Sequence, residues 1–152
     1  MKGLKRTAVM VVLRCGTQFL LLKRAKEPNR GLYVPVGGKV EPYEDPYQTG
    51  LREVEEETGI HNIKLHELLK FTNHLYFDKY LQEEVVKRTY WFHMTIADMQ
   101  KGNPQTTEDI EKIEWHSLAT ARHCLEQTYP TILEVITESS LAIPLPIPLA
   151  SK

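Results

Sequence analysis

A chain of 152 residues in which 41% are hydrophobic and 26% are charged has the composition of one globular domain. This composition excludes a disordered chain, and no segment approaches the roughly 20 consecutive apolar residues that a membrane helix requires. The formal net charge of −1 hides an asymmetry, since residues 1–39 hold nine Lys or Arg and one acid, Glu27. These positive charges alternate with apolar residues, so a small phosphate-bearing ligand is at least as good a partner as nucleic acid.

The first predicted elements are two strands joined by a hairpin loop. Apolar runs at 4–14 and 18–24 are separated by Cys15, Gly16 and Thr17, a connection suited to a hairpin. The first run follows basic residues as in a signal peptide, but it is short, rich in valine and ends at an arginine. We therefore interpret it as a buried strand.

A loop and a glycine pair follow these strands. Residues 25–31 are polar and contain proline, asparagine and glycine, which predicts a loop, and residues 32–36 are expected to be extended around Pro35. Gly37 and Gly38 come directly after this extended segment.

The next segment carries strong helix signals. Asp45, Pro46 and Gln48 supply an N-cap oxygen, a proline at the first helical position and a glutamine three residues after the cap. Gly59 predicts the C-terminal cap. The core face of this helix is expected to comprise Tyr47, Leu51, Val54 and Thr58.

The rest of the chain predicts further strands and one or two helical stretches. Strands are expected at 63–71, at 85–97 and at 111–116, with 76–80 at a strand end or in a loop and 101–107 in a loop. Ser117 is expected to cap a helix that runs to about Thr128, and another helical stretch would reach about Glu138.

Residues 139–152 are expected to form a Pro-rich apolar tail after a single domain at 1–138. Its apolar residues alternate with prolines, which forbids a helix and denies a strand its ladder donors. The tail therefore predicts polyproline-like extension. A contact with the domain body, with a second copy in a homodimer, or only with a crystal neighbour all remain open.

Seven carboxylates and one arginine crowd the stretch GGKVEPYEDPYQTGLREVEEETGI. Like charges three or four residues apart on a helix repel each other. At about 100° per residue, Glu53, Glu56 and Glu57 share one face distinct from the core face, Glu55 points elsewhere, and Arg52 can pair with Glu56. Such oxygen ligands suit Mg²⁺ or Mn²⁺, although a glutamate-rich face is more often only solvated surface.

The spacing of these residues decides between the two interpretations. Gly38 is followed after five residues by Glu44, after seven more by Arg52-Glu53, and then by Glu56-Glu57 and Gly59-Ile60. This is the Nudix box, and the chain resembles the Nudix hydrolase family at every defining position of it.

Two positions depart from the family's usual pattern without touching a ligand position. Tyr43 stands where glycine is common, and Gly50 where alanine is common. A mid-helix glycine costs about 1 kcal/mol relative to alanine, and a close backbone approach is one explanation for it.

The resemblance implies a fold and a reaction. The fold is an α/β/α sandwich with a mixed, curved sheet, the box helix on one face and a carboxy-terminal helix on the other. The reaction is cleavage of a nucleoside diphosphate linked to another moiety, by attack of water on phosphorus. The implied metal ligands are the carbonyl of Gly37 and the carboxylates of Glu53, Glu56 and Glu57.

The resemblance also implies roles for other residues. Arg52 would orient Glu56, and the proton acceptor would be either Glu53 or Glu108, because relatives use a box glutamate or one in a later loop. Glu108 is equally well explained as a solvated loop acid. Gly38, Glu44 and Gly59 would have structural roles in the motif. Basic side chains that could contact substrate phosphates, each also explained as surface charge, are Lys23, Arg24, Lys39, Lys87 and Arg88.

The substrate class is only weakly indicated. Tyr76 lies sixteen residues after Ile60, where dinucleoside polyphosphate hydrolases of the family carry a tyrosine, and the stretch KRTYWF is similar to the same branch. Core packing explains this tyrosine about as well. A MutT-type pyrophosphohydrolase acting on oxidised purine nucleoside triphosphates is an alternative. A non-enzymatic nucleotide sensor is another, but sensors usually carry a degraded box, and this one is intact.

Cysteine and histidine spacing indicates no further site. Cys15 and Cys124 lie far apart and form no CxxC motif, so neither a disulfide framework nor a zinc site is indicated. None of the six histidines has a ligand-like spacing. We expect a cytoplasmic protein whose partner is a small-molecule nucleotide, with no role for a membrane.

Overall fold

The computed structural model describes residues 4–27, 30–103, 109–125 and 134. Within them lie seven strands and two helices, in the order β1 (Leu4–Cys15), β2 (Gln18–Arg24), β3 (Tyr33–Val34), β4 (Val36–Lys39), α1 (Pro46–Thr58), β5 (Lys64–Asp78), β6 (Glu83–Thr95), β7 (Ile110–Ser117) and α2 (Leu118–Leu125). The strands form one mixed sheet in the order β3-β2-β1-β6-β5, with β4 paired to β1 and β7 paired to β2. β1 and β6 run parallel, and the other pairs are antiparallel.

The central strand β1 divides the core between the two helices. Its side chains alternate between the faces of the sheet, so Val9 and Val11 pack with Val54 of α1, whereas Val12 packs with Ala121 and Leu125 of α2. One helix therefore covers each face. The predicted sandwich with a mixed sheet is confirmed.

The box helix begins and ends where the sequence predicts. Asp45 accepts a hydrogen bond from the Gln48 amide at 2.9 Å, and the Gln48 side chain accepts one from the Asp45 amide at 3.0 Å, which completes a capping box. Gly59 ends the helix at a φ of 71°. Gly50 is explained by close approach, since an added Cβ would lie 2.7 Å from Cε of Met94.

The strands differ from the prediction mainly in length. The first hairpin loop has two residues, because Cys15 pairs with Gln18. The strand predicted at 63–71 extends to Asp78, so residues 76–78 form a strand end, one of the two predicted placements, and residues 79–80 lie in a turn. β5 pairs with β6 over its whole length, and two irregularities in register interrupt this ladder. The end of β5 is therefore determined by pairing with β6 and not by the local amino-acid composition.

Several predicted features lie outside the described residues. These are the loop residues Pro28 and Asn29, residues 104–108, the helix beyond Leu125 and the proline-rich tail at 139–152. No helix among the described residues is long and apolar enough to cross a membrane. Cys15 and Cys124 are both free thiols.

Candidate active site

The candidate site lies where α1 passes over β4. Strand β4 pairs with β1, with Gly37 opposite Met10 and Gly38 opposite Val9. The amide of Gly37 donates a hydrogen bond to Oε1 of Glu57 at 3.2 Å. This bond ties the end of the box helix to the glycine strand.

Gly38 gives the helix room to bring Glu53 to the strand. A Cβ added at Gly38 would overlap the carboxylate of Glu53, so only glycine leaves space for this side chain. Glu53 is consequently largely shielded from solvent.

Arg52 organises the acidic side chains around it. Its Nε and Nη2 donate to the two carboxylate oxygens of Glu44 at 2.6 and 3.1 Å. Its Nη1 donates to Glu53 and to Glu56, each at 3.1 Å, and Nη2 also reaches the carbonyl of Lys39 at 3.1 Å. The predicted pairing with Glu56 is present, and the bidentate pair with Glu44 fixes the arginine from the other side.

Hydrogen bonding and burial shift the pKa values of the charged groups in the site. The hydrogen bond from Arg52 holds the pKa of Glu44 at about 2, and the hydrogen bond to Glu44 raises the pKa of Arg52. Burial raises the pKa of Glu57 to about 8, and the negative charge of Glu53 adds to this effect. Burial also raises the pKa of Glu53. The arginine therefore does not fully offset the acidic charge that α1 places here.

The box carboxylates (Glu53, Glu56 and Glu57) fit a hard divalent cation by their chemistry. All are oxygen donors, two are partly buried, and burial penalises their charged forms in the absence of a positive partner. Without a cation, Glu57 is held by the amide of Gly37 and Glu56 by Arg52.

A family comparison identifies the fold and this motif together. The NUDIX domain family model matches residues 3–136. The chain belongs to the NUDIX family. It is a Nudix hydrolase, an enzyme of the class that acts on pyrophosphate bonds.

Solved Nudix structures share the architecture at low sequence identity. The MutT NUDIX hydrolase of Burkholderia pseudomallei is 24% identical, with a TM-score of 0.60 over 88% of this chain and 96% of that chain. An Ap4A hydrolase of C. elegans in a binary complex is 20% identical, with a TM-score of 0.67 over 95% and 99%. The E. coli dihydroneopterin triphosphate pyrophosphohydrolase is 18% identical, with a TM-score of 0.71 over 93% and 100%. A comparison with curated protein sequences finds no significant match.

Two predicted substrate-binding residues lie near the box carboxylates or their arginine partner. Arg24, at the end of β2, lies close enough to Glu57 for its charge to lower the pKa of that carboxyl. Lys39 ends β4, is exposed, and its carbonyl accepts the hydrogen bond from Arg52. Glu108 lies outside the described residues.

Tyr76 is not brought to the box carboxylates. It lies on the edge strand β5 opposite Val85 of β6, and its ring stacks on His74 with centroids 6.2 Å apart. Alternation along β6 places Val85 on the same face as Trp91, which packs with α2. Tyr76 therefore faces away from α1.

One cluster of side chains that can bind a metal was not predicted from the sequence. His66 and Glu67 of β5 and His93 of β6 lie together, although no histidine spacing indicated a nitrogen-containing site. Their separation along the chain hides them, because a sheet pairing and an irregularity in that pairing create the contact. The adjacent His-Glu pair in a predicted strand was the only local signal.

Proposed function

We propose that this Nudix hydrolase depends on a divalent cation, Mg²⁺ or Mn²⁺, and cleaves a pyrophosphate bond of a dinucleoside polyphosphate or a nucleoside triphosphate by attack of water on phosphorus. The observation that carries this proposal is the placement of the box carboxylates: Glu53 lies against Gly38, the amide of Gly37 donates to Glu57, and Arg52 donates to Glu56. Three carboxylates gathered on one helix face beside a glycine strand favour a divalent cation site.

Some residues of the box would bind the cation, and others would orient those ligands. Glu53, Glu56 and Glu57, with the carbonyl of Gly37, would hold the cation, which when bound neutralises phosphate oxygens. The amide of Gly37 fixes the orientation of Glu57. Arg52 fixes Glu53 and Glu56 and is itself anchored by Glu44, as partners of metal ligands usually are.

Two glutamates are candidates for the residue that accepts a proton from the attacking water. Glu53 is partly buried, and burial raises its pKa, which makes it a stronger proton acceptor than an exposed glutamate. Glu108, which precedes β7 in the sequence and lies outside the described residues, is the alternative. We place Glu53 first because its position beside Gly38 is fixed by close contact.

Basic side chains beside the box favour a substrate with several phosphates. The charge of Arg24 lowers the pKa of Glu57, and the carbonyl of Lys39 accepts a hydrogen bond from Arg52. A groove of about 540 Å³ adjoins Lys39 and is also lined by Arg6, Thr7, Glu41 and Glu44. A volume of this order suits a nucleotide-sized ligand. Two structural neighbours, an Ap4A hydrolase and a dihydroneopterin triphosphate pyrophosphohydrolase, are named for polyphosphate substrates.

The test is a substrate panel with a matched pair of variants. Purified protein is incubated with Mg²⁺ or Mn²⁺ and Ap4A, dGTP, 8-oxo-dGTP, dATP or ADP-ribose, and products are identified by chromatography. Glu57→Gln should abolish turnover of the preferred compound, whereas Glu55→Gln should not, because the carboxylate of Glu55 is exposed and pairs with His61.

The outcomes separate the candidate functions. Turnover of Ap4A or of a triphosphate that needs the cation and Glu57 supports the proposal and names the substrate class. Preference for 8-oxo-dGTP selects the MutT-type alternative. Tight nucleotide binding without turnover of any compound, with either cation, would overturn the proposal in favour of a sensor.

A further inference from the structure

A β-bulge gathers three metal-ligating side chains on the sheet face away from the box. Leu65 pairs with Met94, and Glu67 pairs with His93, so β5 contributes one more residue than β6 across this step. His66 and Glu67 therefore both oppose His93. In a regular strand two consecutive side chains would point to opposite faces, and the bulge removes that separation.

The donor atoms of this β5–β6 cluster (His66, Glu67 and His93) are close together. One ring nitrogen from each histidine and one carboxylate oxygen all lie within 4.8 Å of one another. The two imidazole rings have centroids 4.8 Å apart and planes inclined by 55°. Two imidazole nitrogens and one carboxylate are a donor set that zinc and similar divalent transition metals prefer.

His93 provides an independent observation that points to a ligand. Its side chain is completely buried, with 0% exposure. Neither of its ring nitrogens has a hydrogen-bond partner among the described residues. An unpaired polar group in the interior costs about 1–3 kcal/mol, so a buried imidazole with two unsatisfied nitrogens requires a compensating interaction.

We propose that the β5–β6 cluster is a second cation site, of the zinc type, formed by His66, Glu67 and His93. Tetrahedral ligands at about 2.1 Å from zinc are roughly 3.4 Å apart, so the donor atoms must approach one another on binding. His66 is exposed and can rotate toward the buried His93. A water molecule would supply the fourth ligand.

Charge around the cluster favours a modest rather than an extreme affinity. Arg14 is 3% exposed, and its positive charge acts on His93, which opposes a cation. Glu67 supplies the compensating negative charge, and the guanidinium of Arg14 lies over the ring of Phe19 at 5.8 Å. Removal of Glu67 alone should therefore weaken the site strongly.

The site is separate from the Nudix box and does not depend on the proposed function. His93 pairs with Val12 of β1, whose side chain packs on the α2 face. The box carboxylates lie on α1, which covers the other face. The two sites can therefore be disabled one at a time.

The test measures Zn²⁺ binding to the full chain after metal removal, by competition with a chromophoric chelator. The background is the variant Glu53→Gln/Glu56→Gln/Glu57→Gln, which lacks the box ligands. We expect one bound Zn²⁺ per chain in this background, at least tenfold weaker binding after His66→Ala or Glu67→Gln, and unchanged binding after His74→Ala, an exposed histidine on the same strand.

NMR of the histidine side chains supplies a second readout. The ring nitrogen signals of His66 and His93 should shift on addition of Zn²⁺, while those of His74 should not. Because His66 and Glu67 are not buried, their substitution should leave the fold intact, and they decide the matter if a His93 variant fails to fold. No Zn²⁺ bound in the background variant, or equal binding after both substitutions, would overturn the proposal.

Discussion

Arg52 and Glu44 form a bidentate ion pair, with Nε to Oε2 at 2.6 Å and Nη2 to Oε1 at 3.1 Å. The pair joins the loop before α1 to the middle of that helix. It leaves Nη1 of the arginine directed at Glu53 and Glu56. The orientation of two candidate metal ligands therefore depends on a residue outside the helix.

Replacement of Arg52 by lysine should reduce catalysis while leaving the fold intact. A lysine ammonium cannot serve Glu44 and the two helix carboxylates in this fork geometry. We expect kcat to fall by about tenfold to 100-fold, with a higher cation concentration needed for half-maximal activity. Arg122→Lys is the control, since Arg122 is exposed on α2, which packs on the other face of the sheet. Wild-type kcat in Arg52→Lys would contradict the role assigned to the fork.

Gly38→Ala should inactivate the enzyme by displacing Glu53. The added methyl would occupy the space of the Glu53 carboxylate, and a misplacement of about 1 Å costs about 100-fold in rate. Gly50→Ala makes the same chemical change on the same motif, but its one close contact is with the end of the Met94 side chain, which can shift, and Val11 and Val9 lie at ordinary contact distance. We expect its kcat/KM to stay within about threefold of the parent, because the alanine also favours the helix. Equal losses in both variants would show that Glu53 is not the sensitive group.

Glu44 should make stability depend on pH in the acid range. Its pKa falls from 4.5 to about 2 in the folded chain, so its contribution is fully present above pH 4.5 and is lost as the pH falls toward 2. Urea unfolding should show that Glu44→Gln is destabilised relative to the parent at pH 7, with a smaller difference at pH 3. Glu55→Gln serves as the control. The same difference at both pH values would contradict this linkage.

His93 should produce a second pH dependence at milder acidity. Burial lowers its pKa from 6.5 to about 3, so unfolding takes up a proton between these values and stability falls as the pH falls through this window. At pH 5 this contribution is about 2 kcal/mol. The free energy of unfolding, measured in the presence of a chelator, should therefore fall between pH 7.5 and 5 in both proteins. The fall should be larger in the parent than in His93→Leu by about this amount. Parallel pH profiles of the two proteins would exclude a neutral buried imidazole.

Local signals in the sequence were sufficient for the box helix and its acidic face. Asp45, Pro46 and Gly59 mark its ends through caps that involve only near neighbours, and periodicity separates the core face from the carboxylates. The cost of a glycine within a helix also suggested a close approach at Gly50, and the structure places the side chain of Met94 there.

The remaining features depend on contacts between distant segments. β5 continues to Asp78 because β6 offers it a partner, although side chains such as Phe71 and Leu75 stay exposed. The bidentate pair of Arg52 with Glu44 depends on the path of a loop, which composition does not specify. The β5–β6 cluster requires a bulge, and nothing in the local sequence indicates where a ladder will slip by one residue.

The candidate ligands of the box all come from one contiguous strand-loop-helix segment between Gly37 and Glu57, and this arrangement has an evolutionary consequence. Descendants can exchange nearly every other side chain without moving the reactive centre, provided that β1 and β6 still support the segment. Solved structures about 20% identical to this chain keep the same fold, with TM-scores of 0.60 to 0.71.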